Sequence, residues 1–336
     1  MLIRLFFKHL IFFLFLLTKT LVSQSQDTVL LNERQLNTKS RIKWVSEFPS
    51  ISEKKTNLSE KIGQVVFGKK DIPEISKPIS VLALNPDSFL VLDQGNNTIF
   101  NIRNKESEIP RFLKKRENYF TSLVGICSIS KNEILFTDSK LNQIYKINND
   151  KTECVVLNDS LKLDQPTGIA FSNLTNEIWV VETKSHKISI LNNKGERIKT
   201  IGTRGNNNGE FNFPTSISID KDGFAYVVDA MNFRVQIFNK DGQFVSTFGK
   251  QGDATGDFAR PKGIAIDSEG NIYIADALFN TVQIFNKKGI FLYYFGSQGK
   301  EKEKFWMPSG IFIDSLNYIY VSDSYNSRIQ IFQMVN

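Results

Sequence analysis

A 47-residue repeat runs through the C-terminal half of this 336-residue chain. A chain built this way stacks like units against one another. Pro214-Thr-Ser-Ile-Ser-Ile-Asp220 returns as Pro261-Lys-Gly-Ile-Ala-Ile-Asp267 and again as Pro308-Ser-Gly-Ile-Phe-Ile-Asp314. Gly202, Gly249 and Gly296 each stand 12 residues before the repeat proline, and Phe211, Phe258 and Phe305 stand three before it. Weaker copies extend backwards as Pro166-Thr-Gly-Ile-Ala-Phe171, Leu123-Val-Gly-Ile-Cys-Ser128 and Pro78-Ile-Ser-Val-Leu-Ala83. The starts at 78, 123, 166, 214, 261 and 308 define six units spaced by 43 to 48 residues.

Each unit reads as four short strands. In the fourth unit these are Ile217-Ser-Ile219, Phe224 to Val228, Val235-Gln-Ile-Phe238 and Phe244-Val-Ser-Thr-Phe248. β-Branched and aromatic residues fill them, as strands favour. Lys221-Asp-Gly223 and Asn239-Lys-Asp-Gly242 supply the turns between. Four strands at this period predict an all-β, six-bladed β-propeller of four-stranded antiparallel blades over residues 61–336. The last unit stops after its third strand, so an N-terminal strand is expected to complete the last blade and remove an open edge. Gly63-Gln-Val-Val-Phe-Gly68 resembles Gly242-Gln-Phe-Val-Ser-Thr-Phe-Gly249, which makes residues 62–67 the expected closing strand. Residues 26–60 form a polar N-terminal extension. Two roles stay open there for Arg41 to Phe48, an added strand or a wrap around the outside.

An acid recurs 15 or 16 residues after each repeat start: Asp93, Asp138, Glu182, Asp229, Asp276 and Asp323. Asp229-x-x-Asn232-x-Arg234-Val235 and Asp323-x-x-Asn326-x-Arg328-Ile329 carry the fullest version of the turn that follows. An aspartate can accept from backbone N–H groups in such a turn, and asparagine tolerates left-handed φ. The arginine can pair with the aspartate. Recurrence in every unit argues that these groups hold the blades together, since a catalytic group would occur once. The pattern resembles the NHL repeat, Asp-x-x-Asn-His-Arg-Ile, over about residues 61–336. Blades four to six match it best, and blades one and two are degenerate.

Residues 1–25 read as a secretory signal peptide. Arg4 and Lys8 precede the apolar run Leu10 to Leu17, and the small Ser23 and Ser25 suit cleavage. The run is shorter than the roughly 20 apolar residues of a bilayer span. The mature chain is therefore expected to be exported, periplasmic or secreted, with no stable membrane span. Loss of Arg4, Lys8 and Lys19 lowers the formal charge from +7 to +4. That is too mild for a nucleic-acid partner. Lys114-Lys-Arg116, the densest basic cluster, falls near the outer strand of blade one. Cys127 and Cys154 fall on the innermost and outermost strands of one blade. Three strand spacings of about 4.8 Å part those strands, too far for a disulfide.

His186 is the only histidine after the signal segment and sits in the repeated turn, which favours a structural role over a general base or metal ligand. One histidine cannot form a His-cluster zinc site. The NHL-like amidating lyases need several metal-binding histidines, so the resemblance does not imply that activity. The innermost strands carry no carboxylate for a calcium-dependent lactonase site. No metal, cofactor or enzymatic activity is therefore expected, with a metal-dependent lactonase or lyase as the alternative and an RNA-binding NHL domain as a third reading. Gly202–Gly205, Gly249–Gly252 and Gly296–Gly299 recur with the repeat and read as connecting turns. The expected role is a binding scaffold for a protein, glycan or small molecule, acting through the face that bears the Asp-x-x-Asn turns. Met231, Phe233, Leu278, Phe279, Trp306 and Tyr325 gather there, either as exposed anchors or packed beneath the loops. Thr167, Thr215, Lys262 and Ser309 are expected to ring the tunnel mouth and touch a polar ligand.

Overall fold

The computed structural model describes residues 41–49, 74–85, 87–110, 113, 120–130, 133–148 and 153–335. The signal segment, residues 62–67 and Lys114-Lys-Arg116 lie outside these.

Six four-stranded antiparallel sheets form six blades. Blade four shows the plan, with Pro214–Ile219 innermost, then Ala225–Asp229, Arg234–Phe238 and Phe244–Phe248 outermost. Inner strands of neighbouring blades touch, and Ile311–Ile313 of blade six returns to Pro78–Asn85 of blade one, so the blades close in a ring. Among the described residues, no helix is long and apolar enough to cross a membrane.

The core is six wedges, each between two adjacent blades. Within Ala225–Asp229, Ala225 and Val227 join the wedge toward blade three, while Tyr226 and Val228 join the wedge toward blade five. Side chains alternate along a strand, and here both faces are covered. That is why second strands read as unbroken apolar runs. Each such buried side chain contributes about 1.5–3 kcal/mol by leaving water.

Glycine lets the inner strands converge. A Cβ on Gly263 would stand 2.3 Å from the Ser309 carbonyl oxygen of the next blade, and one on Gly310 would stand 2.4 Å from that of Ile79. The connecting loops are compact too. Phe211, Phe258 and Phe305 are fully buried plugs, each bridged in parallel to Arg204, Gln251 or Gln298 of its own loop. The three Gly-x-x-Gly turns thus belong to blade-to-blade connections.

Ring closure uses an N-terminal strand, but a different one from residues 62–67. Ile42–Phe48 takes the outermost place in blade six, antiparallel to Arg328–Met334, from Ile42 opposite Met334 to Phe48 opposite Ile329. Specific contacts fix that choice. Trp44 Nε1 donates to Gln330 Oε1 at 3.2 Å, Arg328 Nη1 donates to Glu47 Oε2 at 2.8 Å, and Phe48 packs edge-on against Phe89 of blade one. Ile42–Phe48 is therefore part of the propeller. Of the two roles open to Arg41 to Phe48, the strand is the one observed. Cys127 and Cys154 are not joined in a disulfide, and burial pushes the Cys127 thiol up to about 12.

Candidate functional site

The recurrent acid closes each blade's second strand and is buried: Asp93, Asp138, Asp229, Asp276 and Asp323 are fully inaccessible and Glu182 is 1% exposed. Each ties the loop entering its blade to the following turn. Asp276 accepts from the backbone N–H groups of Ala259 (2.8 Å), Arg260 (3.0 Å), Leu278 (3.1 Å) and Phe279 (3.2 Å). Asp93 and Asp138 do the same with Ser76, Lys77 and Asn96, and with Thr121, Ser122, Lys140 and Leu141. In blades four and six side chains join. Asn232 Nδ2 and Arg234 Nε each donate to Asp229 at 2.8 Å, and Asn326 and Arg328 donate to Asp323 at 2.9 and 2.8 Å. Glu182 reaches the Asp164 N–H at 2.8 Å but takes its arginine, Arg197, from the outermost strand. Burial holds the Asp323 carboxyl above the ordinary aspartate range, against the lowering by the Trp306 N–H, Asn326 and Arg328.

The same turns carry one left-handed residue per blade: Asn97, Asn142, His186, Phe233, Asn280 and Ser327, with φ between 48° and 59°. Several reach the next blade. His186 Nδ1 accepts from the Phe213 N–H at 3.1 Å, and Asn280 Oδ1 accepts from that of Met307 at 2.9 Å. His186 is buried, with its ring against Phe213. The structure therefore gives it a bond between blades three and four.

These turns and the connecting loops surround one end of a tunnel of about 760 Å³. Each inner strand is paired on one side only, so its other edge of N–H and C=O groups faces the tunnel. Among the described residues, the lining contains Lys262 but no aspartate, glutamate or histidine. Among the described residues, no group of three or more His, Cys, Asp or Glu side chains converges.

Thr167, Thr215, Lys262 and Ser309 all line the tunnel, at equivalent places in successive blades. Two of the hydroxyls are engaged. Thr167 and Thr183 share a 2.6 Å hydrogen bond, and Thr183 donates to the Pro214 carbonyl of the next blade at 2.7 Å. Ser309 and Ser324 share another at 2.6 Å, and Ser324 donates to the Pro78 carbonyl at 2.6 Å. Gln94 bridges likewise to the Leu123 carbonyl at 2.9 Å. In blades one, three and six the residue after the acid thus latches blade to blade, a role that sequence reasoning missed although the hydroxyls recur in place, whereas Ser139 of blade two bonds to Ser122 of the loop entering its own blade. In blades four and five that residue is Ala230 or Ala277, which has nothing to donate. Thr215 Oγ1 is accordingly buried without a hydrogen-bond partner. Lys262 forms no ion pair among the described residues. The charges acting on it are Arg260 and Lys77, which with burial, the larger cause, hold its ammonium below the ordinary lysine value.

Outside the mouth, Met231, Leu278 and Tyr325 occupy equivalent turn positions and are 55%, 53% and 52% exposed. Trp306, also exposed, lies against Tyr325 with ring centroids 5.7 Å apart. Phe213 adds an exposed ring to this face that the sequence did not single out. Phe233 and Phe279 are half-buried, Phe233 packing onto the wedge between blades four and five.

Comparison with known proteins agrees with this architecture. Residues 222–280 match a family described as 6-bladed beta-propeller, and residues 305–332 match the NHL repeat. No curated protein matches the sequence. An auxiliary nutrient binding protein from Bacteroides thetaiotaomicron superposes with a TM-score of 0.62 at 12% identity, over 78% of this chain and 70% of that one. A protein of unknown function from the same organism gives 0.61 at 15%, over 80% and 72%. An inactive virginiamycin B lyase from Staphylococcus aureus, solved with quinupristin, gives 0.56 at 17%, over 79% and 83%. At these identities the likeness is one of fold. The chain is a six-bladed β-propeller in which residues 305–332 match an NHL repeat.

Proposed function

We propose that this propeller is an exported binding protein that engages its partner through the face bearing the Asp-x-x-Asn turns. The observation that carries the reading is the repeat-matched exposure of Met231, Leu278 and Tyr325 around the tunnel mouth. Exposed apolar side chains gathered on one face mark binding surfaces. The turns beneath them are held by buried acids, so the surface is pre-formed and ordering it on binding costs little. The nutrient-binding neighbour and the lyase leave both binding and catalysis open to this fold, and the acid-free tunnel lining favours binding. Export rests on the N-terminal signal pattern. N-terminal sequencing of exported protein should begin near Gln24 or Gln26, and an intact Met1 in a membrane fraction would contradict it.

The test is capture of a partner from the exporting compartment. Changing Met231, Leu278 and Tyr325 together to Ser should abolish capture while the fold survives, since truncated anchors commonly cost about 2 kcal/mol or more each. Leu174→Ser with Leu316→Ser is the control. These exposed leucines lie in turns at the opposite end of the blades. Equal capture by both variants would move the binding surface elsewhere. A stoichiometric metal in the purified protein, with an activity lost on chelation, would favour the enzyme reading instead.

A further inference from the structure

The six equivalent positions at the tunnel mouth differ in a way that points to a ligand. In blades one, three and six the residue after the buried acid binds the next blade's carbonyl. Blade two turns its Ser139 hydroxyl to Ser122 of its own blade, and blades four and five, with Ala230 and Ala277, have no side-chain donor at this place. The tunnel-lining partners are then Thr215, whose hydroxyl is unbonded, and Lys262, which has no carboxylate opposite it. Turning Thr215 about χ1 toward the tunnel breaks no hydrogen bond, whereas turning Thr167 or Ser309 breaks its 2.6 Å bond to Thr183 or Ser324. Arg260 and Lys77 add two more cations to the surroundings of Lys262. Neither side chain makes an ion pair among the described residues, and Lys77 lies 5.8 Å from the exposed Tyr325 ring. A lysine on a tunnel wall with no carboxylate among its described lining residues is open to an anion.

The remainder of the tunnel says what the anion is attached to. Its walls present unpaired strand edges together with Ser80, Ser128, Ser216 and Ser218. A body without polar groups would strip water from these and leave them unbonded, which is unfavourable. A hydroxylated body replaces the water's hydrogen bonds. A volume of about 760 Å³ is in the range of pockets for small organic molecules.

We infer that Thr215 and Lys262 bind the oxyanion of a small hydroxylated molecule whose body extends into the tunnel. The inference rests on the reading of this face as the binding face and names the chemistry of its ligand. The oxyanion is a carboxylate or a phosphate, and two probes separate them. Calorimetry on the exported chain compares D-galacturonate with neutral D-galactose, and D-glucose 6-phosphate with neutral D-glucose.

At least one anion should bind at least tenfold more tightly than its neutral parent, and whichever does identifies the head group. Lys262→Met should reduce that anion to the level of its parent, Thr215→Val should weaken it severalfold, and Lys240→Met, at the opposite end of blade four, should leave it unchanged. If neither anion exceeds its parent, the inference is overturned by the wild-type protein alone, whatever the variants do. An anion preference that survives Lys262→Met in a protein of unchanged melting temperature also overturns it. If capture is still lost with the Met231, Leu278 and Tyr325 variant, only the anion site falls and the binding face stands.

Discussion

Arg328 joins the two ends of the chain, and replacing it by methionine tests the closure directly. Its guanidinium is 3% exposed and bonds to Asp323 and Glu47 at 2.8 Å each, and to the carbonyls of Glu301 and Lys304 at 2.9 and 2.8 Å. Arg328→Met keeps much of the apolar stem but strands two carboxylates, one fully buried and one 11% exposed. Removing one partner of a buried ion pair costs about 3–5 kcal/mol. Arg234 provides the matched comparison. It makes the same contacts to Asp229, Asn207 and Glu210, but Thr247 stands where Glu47 stands in blade six. Arg234→Met should therefore cost less by the worth of one hydrogen bond between charged groups, about 1.5–3 kcal/mol. At about 2 °C per kcal/mol for a domain of this size, Arg328→Met should melt roughly 3–6 °C below Arg234→Met. Thermal unfolding followed by circular dichroism reads this gap. Glu47→Thr should erase most of it when added to Arg328→Met. Equal melting of the two arginine variants would refute the closing role of Glu47.

Deleting residues 41–48 should destabilise the whole domain, because blade six loses its outermost strand. Deleting 61–68 should be milder, and a reversed order in denaturant titrations would return the closing role to that segment. His186→Ala removes the acceptor for the Phe213 N–H and should cost about 1 kcal/mol in unfolding experiments without changing partner capture. Gly263→Ala drives a Cβ to within 2.3 Å of the Ser309 carbonyl oxygen and should cost about 1–3 kcal/mol as overpacking, whereas a neutral result would mean that the inner strands are not so closely apposed. With the Cys127 thiol pushed up to about 12, only about one molecule in ten thousand carries its thiolate at pH 8. Cys127 should then resist alkylation in the folded protein and react after unfolding, as peptide mass mapping will show.

The blades and their acid turns were legible because each is a local pattern repeated often enough to be recognised. The closing strand was not. Trp44-Val-Ser-Glu-Phe48 copies Phe244-Val-Ser-Thr-Phe248 almost residue for residue, but it lacks the flanking glycines that drew attention to Gly63-Gln-Val-Val-Phe-Gly68. What selects it is Glu47 meeting Arg328 and Trp44 meeting Gln330, contacts between opposite ends of the chain that no local pattern shows. The tunnel mouth divides the same way. The sequence placed Thr167, Thr215, Lys262 and Ser309 together because they share a repeat position. Which hydroxyls are engaged depends on the residue after each acid, some 15 positions on, and on the blade across the gap. Phe233 shows the limit for aromatic residues. Its ring lies in a turn, yet its left-handed backbone is accompanied by packing onto the wedge below.

The pairing of Ile42–Phe48 with Arg328–Met334 also sets an order of events during synthesis. Glu47 and Arg328 are 281 positions apart. The segment that leaves the ribosome early must stay unpaired until nearly all the rest has followed, while blades one to five can form from neighbouring stretches as they emerge. Assembly is thus local blade by blade and ends in one distant pairing, the kind of step that slows folding. Until it occurs, Arg328–Met334 presents an open strand edge able to accept a strand from another molecule. A strand made early is thus seated last.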